Sequence, residues 1–186
     1  MNENNATRAV TVRQVIAKEA AADAATNMLA QALAEVLVDC VDGGASVSFM
    51  QPLSRAKALV FWQGVLAGAA RGERALLVAE EEGRVVGTVQ LITAQPDNQP
   101  HRADVAKMLV HRQARRRGVA QQLMAAIDCA ARAAGKTVLV LDTETGGDAE
   151  RLYQRAGWTR VGDVPNYALM PDGAPCSTTF YFKSLA

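Results

Sequence analysis

The sequence predicts a mixed α/β domain, a sheet with helices packed on its faces. Three observations carry that prediction. The apolar run Asp104–Val110 is short and bounded by polar residues, and it leads through a basic turn into helical spacing at Val119, Leu123, Ala126, Ile127 and Ala130. A second apolar run, Lys136 to Asp142, follows that helix, and a strand–helix–strand unit of this kind is expected to be a right-handed crossover between parallel strands. Elsewhere, stretches of period two alternate with stretches of period near 3.6, without internal repeats.

In chain order, residues 1–8 are polar and are expected to be a flexible lead into a single domain over residues 9–186. Val10–Val15 alternates like a strand. An alanine-rich helix is expected from about Lys18 to Cys40, with Met28, Leu29, Leu33, Val36, Leu37 and Cys40 on its core face. Gly43-Gly44 stops it. The segment through Met50 then carries Val47 and Phe49, apolar residues in a connection between helices. Two readings stand: a loop folded over a ligand pocket, or a loop pinned to the core by its own side chains. A second helix, about Leu53 to Arg71, presents Leu59, Trp62, Leu66 and Ala70.

Ala75–Glu80 and Val85–Thr93 read as strands joined by a hairpin turn at Glu81–Arg84. Gly135 is a stop before the Lys136–Asp142 strand. A short helix is expected from an N-cap at Asp148 to a stop at Gly157. Thr159–Asp163 and Thr178–Lys183 read as strands, with Val164–Cys176 between them as a long functional loop.

Composition narrows the function classes. The 186 residues suit one domain with a real core. The net charge of +1 does not suggest a nucleic-acid partner, and no apolar run is long enough to span a membrane. Three widely spaced cysteines (Cys40, Cys129, Cys176) and two histidines make a metal site unexpected, and buried free thiols are the expectation. With no signal-peptide core at the N-terminus, a cytoplasmic location is expected.

The turn at Arg115-Arg116-Arg117-Gly118-Val119-Ala120 has a chemical use. The first N–H groups of a helix lack internal partners, and the helix dipole makes that end electropositive. Such an end binds phosphate. Gly118 and Ala120 leave the backbone open to a ligand oxygen, and arginines pair with phosphate. A P-loop is excluded because no Gly-Lys-Ser/Thr closes the turn, and the glycine spacing does not fit a dinucleotide fingerprint.

Arg115-x-x-Gly118-x-Ala120, after a strand and before a helix, resembles the (Q/R)-x-x-G-x-(G/A) signature of the GCN5-related N-acetyltransferases, the GNAT superfamily. Ala149-x-x-Leu152-Tyr153-x-x-x-Gly157-Trp158 resembles its second signature. The resemblance implies the GNAT fold: a central mixed, mostly antiparallel sheet with one splayed parallel pair, flanked by helices. It implies acetyl-CoA as acyl donor, a small-molecule amine as acceptor, and no metal. Arg115, Arg116, Arg117, Gly118, Val119, Ala120 and Gln121 would cradle the pyrophosphate. Met108, Leu109 and Val110 would pair with the pantetheine arm as an added strand. Tyr153 would protonate the departing thiolate; a phenol of pKa about 10 can serve a thiol of about 8.5. One departure is visible: an asparagine often found seven residues before that tyrosine is Gly146 here.

An alkyl ammonium must lose a proton before it attacks, so a base is needed. Asp142, at the mouth of the splay, is the first candidate. Asp104 is second, lying at the far end of its strand from the phosphate turn, and Glu144 follows just beyond Asp142. Ser46, Phe49 and Tyr167 are candidates to close over the acceptor. The segments Gly43–Met50, Leu141–Glu144, Thr159–Gly162 and Tyr181–Lys183 resemble one branch of the superfamily, the tabtoxin-resistance acetyltransferases, which implies tabtoxinine-β-lactam or a related amino-acid-like acceptor. Two alternatives remain open: a non-catalytic acyl-CoA-binding module, and an acetyltransferase for protein amines. Members often form homodimers, but no interface is legible in this sequence.

Overall fold

The computed structural model describes residues 9–20 and 24–185; the segment 1–8, expected to be flexible, lies outside them. The described residues form one seven-stranded sheet in the order β1-β2-β3-β4-β5-β7-β6. Its strands are β1 (Val10–Gln14), β2 (Arg74–Glu81), β3 (Arg84–Ile92), β4 (Arg102–Val110), β5 (Val138–Glu144), β6 (Thr159–Leu169) and β7 (Pro175–Ser184). Only β4 and β5 pair in parallel; every other neighbouring pair is antiparallel.

Helices cover both faces. They are α1 (Ala17–Ala20), α2 (Ala24–Asp42), α3 (Arg55–Ala70), α4 (Val119–Ala133) and α5 (Asp148–Arg155). The alternation of β2 shows how the faces are divided. Leu76 and Val78 pack with α2 and α3, around Leu33, Leu37, Trp62 and Leu66. Leu77 and Ala79 point the other way, into a core with Leu123 and Ile127 of α4. α4 lies close against β3, because a Cβ at Gly87 would sit 2.9 Å from the Leu109 carbonyl and 3.2 Å from Leu123.

Local chemistry sets the element ends. Ser54 caps α3 by accepting from the Lys57 N–H. Glu82 and Gly83 both have positive φ, the signature of the two-residue turn that joins twisted antiparallel strands.

Several expectations are corrected. Met28 is 73% exposed and faces away from the core; Ala30, Ala34 and Val41 fill the face of α2 instead. On α3, Ala70 is exposed, while Ala58 and Val65 are buried. Asp148 is the first residue of α5, not its cap; Gly147 holds the N-cap, and Asp148 pairs with Arg151. The largest correction concerns Val164–Cys176. β6 runs unbroken through Leu169 and turns back within five residues, so the expected loop is a long hairpin. The cysteines are free, but only Cys40 is buried. No helix of the described residues is long and apolar enough to cross a membrane.

Candidate active site

The site begins with a failure of strand pairing. β4 and β5 are in register at Arg102↔Val138, Ala103↔Leu139 and Asp104↔Val140, and nowhere further. Beyond that point β5 continues to Glu144 paired with β7, while β4 continues to Val110 paired with β3. The strands splay, leaving the edge of β4 from Val105 onward facing a gap. A bulge widens it: between Thr88↔Leu109 and Gln90↔Ala106, Val89 stands opposite both Lys107 and Met108, and Lys107 takes a left-handed φ of 52°.

A cavity of about 1010 Å³ fills the gap and is lined from both sheet faces. From the α4 side come Arg115, Arg116, Gly118, Val119, Ala120 and Gln121, with Tyr153 of α5. From the opposite side comes the Gly43–Met50 loop, including Ser46 and Phe49. Met108, Leu109, Val110, Asp142 and Glu144 line the strands between, and Tyr167 closes the end at the hairpin.

The phosphate-turn candidates sit at the helix end as the chemistry requires. Gly118 holds φ 79° as the N-cap of α4, a conformation natural for glycine. The first helical bond is Gln122 N–H to the Gly118 carbonyl, so the N–H groups of Val119, Ala120 and Gln121 are left pointing out of the helix end. Arg116 stands exposed at the rim. Arg115 turns back, its Nε donating to the Val110 carbonyl at 3.2 Å, and so ties the turn to the end of β4. From the other side Asp39 of α2 accepts from the Arg112 N–H at 2.7 Å and from its Nε at 2.9 Å. Burial pushes the Asp39 carboxyl up, but these bonds with Arg112 outweigh it and hold it below the usual carboxylate range.

Tyr153 is 6% exposed and packs between Trp158 and Tyr181, ring centroids 6.1 and 5.8 Å away. Burial above all, then the nearby Asp142 carboxylate, drives its pKa far up. The phenol therefore keeps its proton through the neutral range, as a donor must. Asp142 also lines the gap, at its mouth. Loss of hydration against the cavity walls pushes its pKa up, Lys107 pulls it down, and the net shift is upward. Glu144, further along β5, is also raised, by burial. A carboxylate of raised pKa is a stronger base than an ordinary surface one.

The loop from Gly43 unites both readings of its sequence. Val47 and Phe49 pack on the α2–α3 core, and the Phe49 ring meets Phe61 edge-on at 5.2 Å; the same loop walls the cavity. The Gln51 N–H donates to the Pro171 carbonyl at 2.9 Å, and the Ser46 hydroxyl lies 3.8 Å from Cys176 Sγ. These contacts close the loop against the β6–β7 hairpin. Tyr167 stacks edge-on against Phe180 at 5.6 Å.

Two candidates stand outside the cavity. Asp104 is held by Arg102 and by Gln95 Nε2 at 3.0 Å, at the closed end of the parallel pair. Arg117 turns away from the phosphate turn and pairs with Glu81 of β2. Lys107 is a charged lining residue that sequence reasoning missed. In a strand read by alternation Lys107 is an ordinary polar position; only the bulge turns it into the gap, and nothing in the sequence marks that bulge. Its ammonium donates to Ser48 Oγ at 3.0 Å. Burial lowers its pKa, against the pull of Asp142. Among the described residues no group of His, Cys, Asp and Glu could hold a metal ion.

Residues 72–160 match the family model described as "Acetyltransferase (GNAT) domain". The chain is 33% identical over 112 residues to an uncharacterized N-acetyltransferase in the hisH-hisA intergenic region of Azospirillum brasilense, covering 59% of this chain. The match spans 65% of that relative's length. Among solved structures, a ribosomal-protein-alanine N-acetyltransferase from Brucella melitensis is similar with a TM-score of 0.76 at 22% identity, over 94% of this chain and 99% of that one. An acetyltransferase from Salmonella typhimurium, solved with its cofactor acetyl-CoA, is similar with a TM-score of 0.73 at 22% identity, over 96% of this chain and 95% of that one. The fold is therefore the GNAT fold. The matched segment contains the phosphate turn, Asp142 and Tyr153, while Ser46, Phe49 and Tyr167 lie outside it.

Proposed function

We propose that the protein transfers the acetyl group of acetyl-CoA directly to the amine of a small molecule. The observation that carries this reading is the splay of β4 from β5, with a protonated phenol and a carboxylate of raised pKa both lining the gap on the β5 wing. The donor fits the groups present. Its pyrophosphate matches the free N–H groups at the α4 end and the arginine at the rim. Its pantetheine amides match the unpaired edge of β4 at Met108–Val110, and a β4 N–H facing the gap would polarise the thioester carbonyl.

In the reaction, Asp142 takes a proton from the acceptor's ammonium group, directly or through water. The freed nitrogen lone pair attacks the thioester carbon; the C–N bond forms and the C–S bond breaks. Tyr153 gives its proton to the sulfur; the acylated nitrogen then loses its second proton, which restores the phenol directly or through water, and Asp142 releases its proton to solvent. The products are an N-acetylated amine, CoA thiol and one proton released at neutral pH. Glu144 adds negative charge that favours a cationic acceptor.

A small acceptor is favoured over a protein amine because the 43–50 loop and the hairpin meet at Gln51 and Pro171, narrowing the acceptor end. Tabtoxinine-β-lactam is the first compound to try, on the stretches that resemble the tabtoxin-resistance branch. The experiment measures CoA release from acetyl-CoA with that compound, a panel of small amines and a peptide with a free N-terminal alanine. Acceptor-dependent release with a small amine supports the proposal. Release only with the peptide replaces it with a protein-modifying role. Acetyl-CoA binding without release for any acceptor favours a binding module.

A further inference from the structure

The acceptor end of the cavity carries charges of both signs. Asp142 and Glu144 sit on β5, and Lys107 faces them from the bulge of β4. Phosphate binding does not account for this lysine. The phosphate turn lies past the end of β4, after Val110, with Arg115 and Arg116 at the cavity rim there. Lys107 instead reaches to Ser48, on the loop that covers the face opposite α4 and α5. Among the described residues no carboxylate comes within 4.0 Å of its ammonium nitrogen; the Ser48 hydroxyl accepts its hydrogen bond, and Asp142 acts on it from further away. An ammonium has three donors, so two remain for a ligand.

The backbone is arranged to present it. A left-handed φ is unfavourable for a residue with a side chain, yet Lys107 adopts 52° at the point where the strands part. A charged residue in a left-handed conformation at the cavity wall, hydrogen-bonded to Ser48 and with Asp142 acting on it without direct contact, marks a place for a ligand group rather than for packing.

We infer that Lys107, steadied by Ser48, forms a subsite for the carboxylate of the acceptor, so that the acceptor is a zwitterionic, amino-acid-like molecule. This rests on the transferase reading above and deepens it. The acceptor's ammonium lies toward Asp142 and its carboxylate toward Lys107, so the two ends of one small molecule meet opposite charges. Lys107 is then a specificity residue: it selects the acceptor and holds the amine beside its base. The ammonium donors that only an acceptor's anion would fill make the subsite discriminate against amines that lack one.

The test uses the full chain loaded with CoA or acetyl-CoA. Common L-amino acids and tabtoxinine-β-lactam are compared with their methyl esters and decarboxylated amines. Binding to the CoA-loaded protein is read by calorimetry and turnover by CoA release. At least one free acid is expected to bind and to react about ten- to a hundredfold better than its ester. Lys107→Met should collapse that ratio while acetyl-CoA affinity holds, and Lys107→Arg should restore part of it. A Ser48→Ala variant, in an exposed loop, gives a milder loss in the same direction and guards against misfolding at position 107.

Equal binding of acids and esters overturns the subsite. So does an acid-to-ester ratio unmoved in both Lys107→Met and Ser48→Ala, and so does an absence of binding by every acid while simple amines are acetylated. In that last case the transferase reading survives alone. Binding of acids that depends on Lys107, without turnover, upholds the subsite and removes the transferase reading instead.

Discussion

Tyr153 and Asp142 carry opposite demands, and their surroundings separate them. Burial keeps the Tyr153 phenol protonated, while Asp142, at the mouth, can exchange protons with solvent and with an acceptor. Tyr153→Phe keeps the ring packing against Trp158 and Tyr181 but removes the proposed proton donor. Its kcat should fall about a hundredfold with acetyl-CoA affinity retained, as single-turnover kinetics and calorimetry would show. Asp142→Asn should lose turnover to a similar degree. Its effect on stability has the opposite sign. A carboxyl whose folded-state pKa lies above its unfolded value contributes stability that is full below the unfolded value, about 3.9, and is lost as pH rises through the folded value. At neutral pH that contribution is gone in the wild type, and a neutral asparagine escapes the penalty of the ionised form. The Tm of Asp142→Asn at pH 7 should equal or exceed that of the wild type, so lost turnover with a lowered Tm would count against the assignment. The kcat/KM profile of the wild type should show an acid limb above the ordinary aspartate range, because the base must be ionised to act.

At the scale of elements, the start of α4 is where backbone conformation and ligand chemistry coincide. Gly118 has φ 79°, and a Cβ there would meet no protein atom within 4 Å. Gly118→Ala therefore creates no steric clash inside the fold; it forces a left-handed alanine, at a cost of about 1 kcal/mol. In the proposed donor site it also sets a methyl group where a phosphate oxygen would approach the N–H groups. A small drop in Tm with a larger, at least tenfold, loss of acetyl-CoA affinity is expected by calorimetry; a Tm change alone would mean that the turn does not hold the phosphate. This element was legible in sequence because Arg115-x-x-Gly118-x-Ala120 stands between an apolar strand and a periodic helix. The β6–β7 hairpin was not legible. Val164-Pro165-Asn166 reads as a breaker, yet β6 is the sheet edge, where a proline without an N–H breaks no ladder. Asn166 takes φ 54° in the irregular stretch between Val164 and Ala168. Lys107 was hidden for a related reason: a bulge depends on what the neighbouring strand does opposite it, and local spacing carries no trace of that.

Across the whole molecule, the parallel pair is a seam. α4 packs on β1, β2, β3 and β4, whereas α5 packs on β5. β5, β7 and β6 form the other wing of the sheet, joined to the first by three register pairs. The cavity runs along that seam, so a ligand in it touches both wings at once: the α4 turn and β4 on one, Asp142 and Tyr153 on the other. Binding that bridges a weakly paired boundary should stabilise the fold as a unit and should change local opening most beside the gap. A ligand at a hundred times its dissociation constant adds about 2.7 kcal/mol, which for a domain of this length raises Tm by roughly 5–10 °C. Acetyl-CoA should produce a shift of that order, with hydrogen exchange slowed at Val105–Val110 and Val119–Gln121 and little changed in β1 and β2. Protection confined to the α4 turn would mean that the donor is gripped only by its phosphates and that the splayed strands do not receive its acyl end. Protection extending along β4 would place the thioester between Asp142 and Tyr153, where both proton transfers are in reach.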